Sequence, residues 1–155
     1  MLNHHTGGSE IDESIWDRKE IEWTGKSFYF VPVTFLLGRP LGLGKKLEEL
    51  NRHMRQGGYK PVNSMVLLQF GKFKGRAMVE VPKKDTHDAN ICTYDIPTTV
   101  TTMVYKGEPL GIAKGFDRLK ELVYSRRSMA ARELYYLYVP NATAGNYRTV
   151  LFAIT

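Results

Sequence analysis

Cysteine is nearly missing from this chain. Cys92 stands alone, so no internal disulfide can form, and one thiol among scattered histidines gives no zinc-ligand spacing. His4 and His5 sit near the N-terminus and His53 and His87 stand apart, so no metal and no cofactor is expected. No apolar run approaches the roughly 18 residues that a membrane-spanning helix needs. Met1 to Ser9 lacks the apolar stretch of a secretory signal, which makes a bacterial-type cytoplasmic protein the expectation. Gly42 and Gly44 precede Lys45-Lys46, but the Gly-x-x-x-x-Gly-Lys-Ser/Thr spacing of a phosphate loop is absent. Helix-turn-helix and zinc-finger patterns are absent too.

What remains suffices for one globular domain. A chain of 155 residues, 43% of them hydrophobic, can bury roughly two-thirds of its unfolded surface without a disulfide or a metal. Lys and Arg number 22 against 16 Asp and Glu, a net charge of +6. The basic residues are scattered, so a solvated basic surface is the expectation, with attraction of an anionic small ligand or partner as the alternative, rather than nucleic-acid binding.

An internal repeat organises the sequence. Gly38-Arg39-Pro40-Leu41-Gly42 recurs as Gly107-Glu108-Pro109-Leu110-Gly111, an offset of 107 − 38 = 69. Six of fourteen positions are identical between 38–51 and 107–120. Later the offset grows to 154 − 81 = 73, with the extra residues in the turn after Pro140. Each copy reads as strand, helix, strand, strand. Phe28–Leu37 and Thr98–Lys106 carry the β-branched and aromatic content of strands. Leu43, Leu47, Leu50 and Met54 recur at helical spacing, as do Ile112, Phe116, Leu119 and Val123. Hairpins over 65–81 and 134–154 complete the copies. The expected organisation is an N-terminal tail over 1–22 and one domain over 23–155, made of repeats 23–82 and 90–155. The fold class is α+β: an antiparallel sheet with two helices packed on it, and pseudo-twofold symmetry.

A tandem strand-helix-strand-strand with Gly-x-Pro before each helix resembles the GyrI-like small-molecule-binding domain family. The motifs are Val104-Tyr105-Lys106-Gly107-Glu108-Pro109 and Glu133-Leu134-Tyr135-Tyr136-Leu137-Tyr138-Val139-Pro140, and the resemblance covers about 21–155. That family includes ligand domains of multidrug-responsive regulators, stand-alone gyrase inhibitors, and hydrolases of cyclopropane-bearing toxins. The resemblance implies two half-domains with a ligand cleft between them. Cation-sensing relatives keep a carboxylate on the last strand, four residues before its closing proline. Here Met78 occupies that place and Leu151 its counterpart, so neutral or anionic ligands are favoured over cations.

Strand alternation sorts side chains between helix and cleft. The cleft set is Leu36, Leu67, Gln69, Arg76, Met78 and Glu80 from the first half, and Met103, Tyr105, Tyr136, Tyr138 and Leu151 from the second, with Trp23 as a cover. Met and Tyr suit an adaptable apolar wall. The function expected is non-enzymatic binding of a hydrophobic or amphipathic small molecule. Two alternatives stand beside it. A hydrolase would draw on Glu80, Glu133, Tyr105 and Tyr136, a carboxylate and a hydroxyl meeting on one ligand. A protein-interaction module, such as a gyrase inhibitor, would use the outer surface.

Overall fold

The two apolar stripes become helices, and the β-branched runs between them become strands. The computed structural model describes residues 11–85, 87–140 and 144–155. A short helix α1 (Glu13–Trp16) and strand β1 (Lys19–Glu22) open it, followed by β2 (Ser27–Leu36) and β3 (Arg39–Pro40). Helix α2 (Leu43–Gln56) leads to β4 (Leu67–Gln69), β5 (Lys74–Val81) and β6 (Ile91–Thr93). Strand β7 (Thr99–Lys106), helix α3 (Ile112–Arg127), β8 (Glu133–Leu137) and β9 (Arg148–Ile154) complete the chain. Among the described residues, nine strands form one antiparallel sheet in the order β1-β7-β9-β8-β4-β5-β2-β3, with β6 also on β2. None of the described helices is long and apolar enough to cross a membrane.

Both helices pack on the same face of the sheet. Leu50 and Met54 of α2 are buried, and Tyr59, just beyond that helix, meets Tyr29 of β2 with ring centroids 5.0 Å apart. On α3, Ile112, Phe116, Leu119 and Val123 are all buried. Phe116 stacks on Phe70 at 4.4 Å and meets Tyr136 edge-on at 6.3 Å. The other face carries an aromatic layer. Trp23 is buried there against Phe28, Tyr94, Tyr135 and Phe152, and Trp16 lies edge-on to Phe152 at 5.7 Å.

The expected alternation holds in the first half and is inverted in the second. Val31, Ala77 and Leu68 share the helix face, while Met78, Arg76 and Leu67 point the other way. In the second half Tyr105 pairs with Thr149, Met103 with Leu151, and Tyr136 with Leu151, and these residues lie under α3 rather than in a cleft. Tyr135 and Phe152, read as core under the helix, pair on the opposite face. On β7 the cause is one residue. From Phe35 to Pro40 the chain advances 40 − 35 = 5 positions, because Leu37-Gly38 makes a tight hairpin between β2 and β3. From Tyr105 to Pro109 it advances 109 − 105 = 4, through Gly107 into a 3-10 turn. An alignment anchored on the prolines therefore slips by one on the strand, and a slip of one exchanges the faces.

Residues 1–10 of the expected tail lie outside the described residues. Residues 19–22, assigned to the same tail, instead pair with Thr99–Thr102 and lengthen the sheet. Residues 141–143 of the turn after Pro140 also lie outside the description.

Gly115 sets how closely α3 approaches the sheet. A Cβ there would lie 2.6 Å from Tyr105 Cδ1 and 3.1 Å from Leu151 Cδ1. Tyr105 cannot swing away freely, since its hydroxyl donates to the Glu108 carbonyl at 2.7 Å. We expect Gly115→Ala to lower stability by about 1 kcal/mol in urea titrations. Overpacking costs ~2 kcal/mol, which outweighs the ~1 kcal/mol gained in helix propensity. An increase in stability would show that α3 has room to move outward.

Candidate ligand groove

The second face offers little room. Trp16, Ile21, Trp23, Phe28, Met65, Leu67 and Phe152 close around a cavity of about 170 Å³, with the Lys26–Glu80 ion pair (3.0 Å) at its edge. Small-molecule sites run from about 300 Å³ upward, so this aromatic layer is a core and not a cleft. Met78 and Leu67 are buried within it.

The larger space is on the helix side, where the two halves meet. A groove of about 750 Å³ runs between the β2–β3 turn (Leu37, Gly38, Arg39), the β4–β5 turn (Phe70, Gly71, Lys72, Phe73) and the start of α3 (Pro109, Leu110, Ile112, Ala113). Lys120 of α3 and Leu134 of β8 complete its wall. Phe70, stacked on the buried Phe116, gives the groove an apolar floor. Arg39, Lys72 and Lys120 supply positive charge at its edge, and no acidic side chain lines it among the described residues. None of these three cations forms an ion pair among the described residues. The local sequence explains the construction. Tight turns bring apolar side chains to the surface here because their backbones, not their side chains, dictate the path. Gly71 has no room for a Cβ, which would lie 2.7 Å from the Lys74 carbonyl oxygen.

A polar constellation occupies the second face at the junction of the halves. Arg76 Nε donates to the Tyr135 hydroxyl at 2.9 Å, and its Nη2 reaches Glu133 Oε1 at 3.2 Å and Cys92 Sγ at 3.4 Å. Tyr135 and Tyr94 donate to the same Oε1 at 2.7 and 3.2 Å. The guanidinium also lies over the Phe30 ring at 4.9 Å. Burial works against the Arg76 charge, but Tyr135 and Cys92 more than offset it, so its pKa lies above the ordinary arginine value. Burial first, then the Glu133 and Tyr135 neighbours, pushes the Tyr94 phenol well up. Tyr135 is raised mainly by burial, with Arg76 opposing and Glu133 reinforcing. One carboxylate oxygen satisfied by three donors is an anchored structural pair that ties β5 to β8.

The residues expected in one cleft are thus divided between places. Met103, Tyr105, Tyr136 and Leu151 are buried under α3. Trp23, Leu67 and Met78 are buried on the second face, where Gln69 pairs with Tyr135 and Arg76 holds Glu133. Glu80 is held by Lys26. Leu36 is exposed at the end of β2, and Tyr138 is half-buried beyond β8, its N–H donating to Val66 at 2.8 Å. Glu80 and Glu133 lie on the face opposite Tyr105 and Tyr136, so the four residues considered for hydrolysis do not converge. Sequence reasoning missed the groove residues Leu37, Arg39, Phe70, Lys72, Phe73 and Leu110. Their signal was a Phe between two lysines inside a turn, and the Leu110 that follows Gly107-Glu108-Pro109.

Fold and groove together define an α+β protein with a two-helix, one-sheet architecture and an apolar, cation-rimmed groove. No protein-family model matches this chain, and no curated protein matches it.

Proposed function

We infer that the chain binds an anionic amphipathic small molecule, non-covalently, in the groove between its two halves. The observation that carries this reading is the lining: an apolar floor with Arg39, Lys72 and Lys120 and no carboxylate. Its volume of about 750 Å³ falls within the usual range for a small-molecule site. The reading includes the tandem strand-helix-strand-strand repeat over 23–82 and 90–155 and the likeness to GyrI-like domains. Support comes from the strand order, in which β7-β9-β8 faces β4-β5-β2 across the central β8–β4 pair. Further support comes from Pro40 and Pro109, which lie before the two helices.

Titration with laurate and with dodecyltrimethylammonium, below their micelle concentrations, tests it. These probes share a chain length and differ in charge. Laurate should bind more tightly than the cation. Lys72→Glu combined with Lys120→Glu should weaken laurate about tenfold, since each partly solvated charge contributes ~1 kcal/mol or less. Equal affinity for the two probes, or a double variant that binds laurate like the wild type, would exclude the groove as an anion site.

A further inference from the structure

The apolar side chains around the groove mouth do not all turn inward. Leu37 is 87% exposed, Leu110 72% and Phe73 65%, and they come from three separate segments that converge on one end of the molecule. Large apolar residues exposed singly need no explanation, but three at neighbouring turn tips form a patch. The patch is also maintained against local strain. Leu36 pairs with Arg39, so Leu37-Gly38 is a two-residue hairpin loop, and both residues have positive φ (51° and 81°). Such a turn favours Asn or Gly at its first position, and a branched apolar residue is disfavoured there. Arg39, Lys72 and Lys74 flank the tips, and none of them forms an ion pair among the described residues.

We propose that this end of the molecule docks on anionic lipid bilayers, with Leu37, Phe73 and Leu110 entering the headgroup region and Arg39, Lys72 and Lys74 meeting the lipid phosphates and carboxylates. Charge decides between occupants. In a symmetric contact a second copy would bring the same three cations against themselves, with no carboxylate in the groove to neutralise them. An anionic surface neutralises all three at once, and short apolar tips beside a basic patch supply the two weak signals that together hold a protein on a membrane. The docking does not depend on whether the groove holds a soluble ligand.

The test is co-sedimentation of the full chain with vesicles of phosphatidylcholine alone and of phosphatidylcholine with about 30% phosphatidylserine. Binding to the anionic vesicles should be at least about tenfold stronger and should weaken as salt is added. Leu37→Asn with Leu110→Ser should reduce it by about tenfold or more. The same Leu37→Asn change suits the turn, so on its own it should raise the melting temperature by about 2 °C, which separates lost docking from lost folding. Lys72→Glu with Lys74→Glu should abolish the preference for phosphatidylserine. Absence of that preference, or leucine variants that bind like the wild type, would overturn the proposal. So would a wild-type dimer in analytical ultracentrifugation that the leucine variants dissociate, which would assign the patch to self-association. The vesicle assay contains no soluble amphipath and the laurate titration contains no vesicle, so either reading can fail alone.

Discussion

Raising the pH from 8 to about 11 should unfold this protein cooperatively, with the loss of structure and the appearance of tyrosinate occurring in one step. Tyr94, Tyr135, Tyr136 and Tyr147 are all buried, and burial is the first cause that raises each phenol above its ordinary value of 10.0. Tyr147, the least shifted of the four, is pushed up to about 12. A raised folded-state pKa means that the native protein keeps its phenolic protons where the unfolded chain has lost them. The stabilisation is therefore complete below pH 10.0 and is lost as pH climbs toward the folded-state values. Each such proton is worth about 1.4 kcal/mol per pH unit in that window. Four together remove about 5 kcal/mol by about pH 11, comparable with the whole stability of an ordinary domain. Tyrosinate absorbance and far-ultraviolet circular dichroism, followed together, check this. Tyr136→Phe should move the midpoint upward, because one of the four titrating groups is removed while its ring still packs on Phe116. Phenols that ionise smoothly around their ordinary value while the dichroism persists would mean that they are not held in the interior.

The parts of the fold set by short-range periodicity were readable from the chain. Leu50 and Met54, and Ile112, Phe116, Leu119 and Val123, fall at helical spacing and are buried on the helices expected for them. The alternation Ala77, Val79, Val81 against Arg76, Met78, Glu80 identifies the two faces of β5, because the polar members appear on one side only. Strand β9 offers no such contrast. In Arg148–Ile154 five of seven residues are apolar and six of seven are buried, so only the neighbouring strands can say which face is which. The repeat offset alone assigns the faces of β9, and that offset is out of register by one residue.

The sites depended on longer-range placement. Tyr94 follows a three-residue strand, and Tyr135 alternates among other aromatics. Nothing local marks them as partners of Glu133, which lies 39 positions from Tyr94. The tail did carry a hint. Within 3–20, Ile11, Ile15 and Trp16 are the large apolar residues in an otherwise polar stretch, and Ile11 is buried while Trp16 reaches Phe152. Ile15 remains exposed, so composition alone could not say which of the three would dock. The groove was hidden for a different reason. It is built from turns, whose side-chain directions follow backbone geometry rather than any period.

Separating Arg76 from Glu133 should cost about 2 kcal/mol for either partner, and removing both should cost much less than the sum. The pair spans 3.2 Å with side chains 20% and 23% exposed, so each charge has surrendered most but not all of its hydration. Breaking a fully buried pair costs roughly 3–5 kcal/mol because the survivor is left uncompensated, and residual solvent reduces that here. In Arg76→Met, Glu133 keeps the hydroxyls of Tyr94 and Tyr135 but loses its counter-charge. In Glu133→Leu the guanidinium stays over Phe30 and keeps the Tyr135 hydroxyl and Cys92 Sγ as partners, neither of them charged like a carboxylate. With both replaced, no charge is stranded, and β5 and β8 can pack through Met and Leu side chains of similar volume. Urea denaturation of wild type, both single variants and the double variant closes a cycle whose coupling should be at least about 1 kcal/mol. Additive losses would mean that the ion pair contributes nothing beyond packing. In that case the attachment of the two halves on this face would rest on the aromatic layer of Trp23, Tyr135 and Phe152 alone.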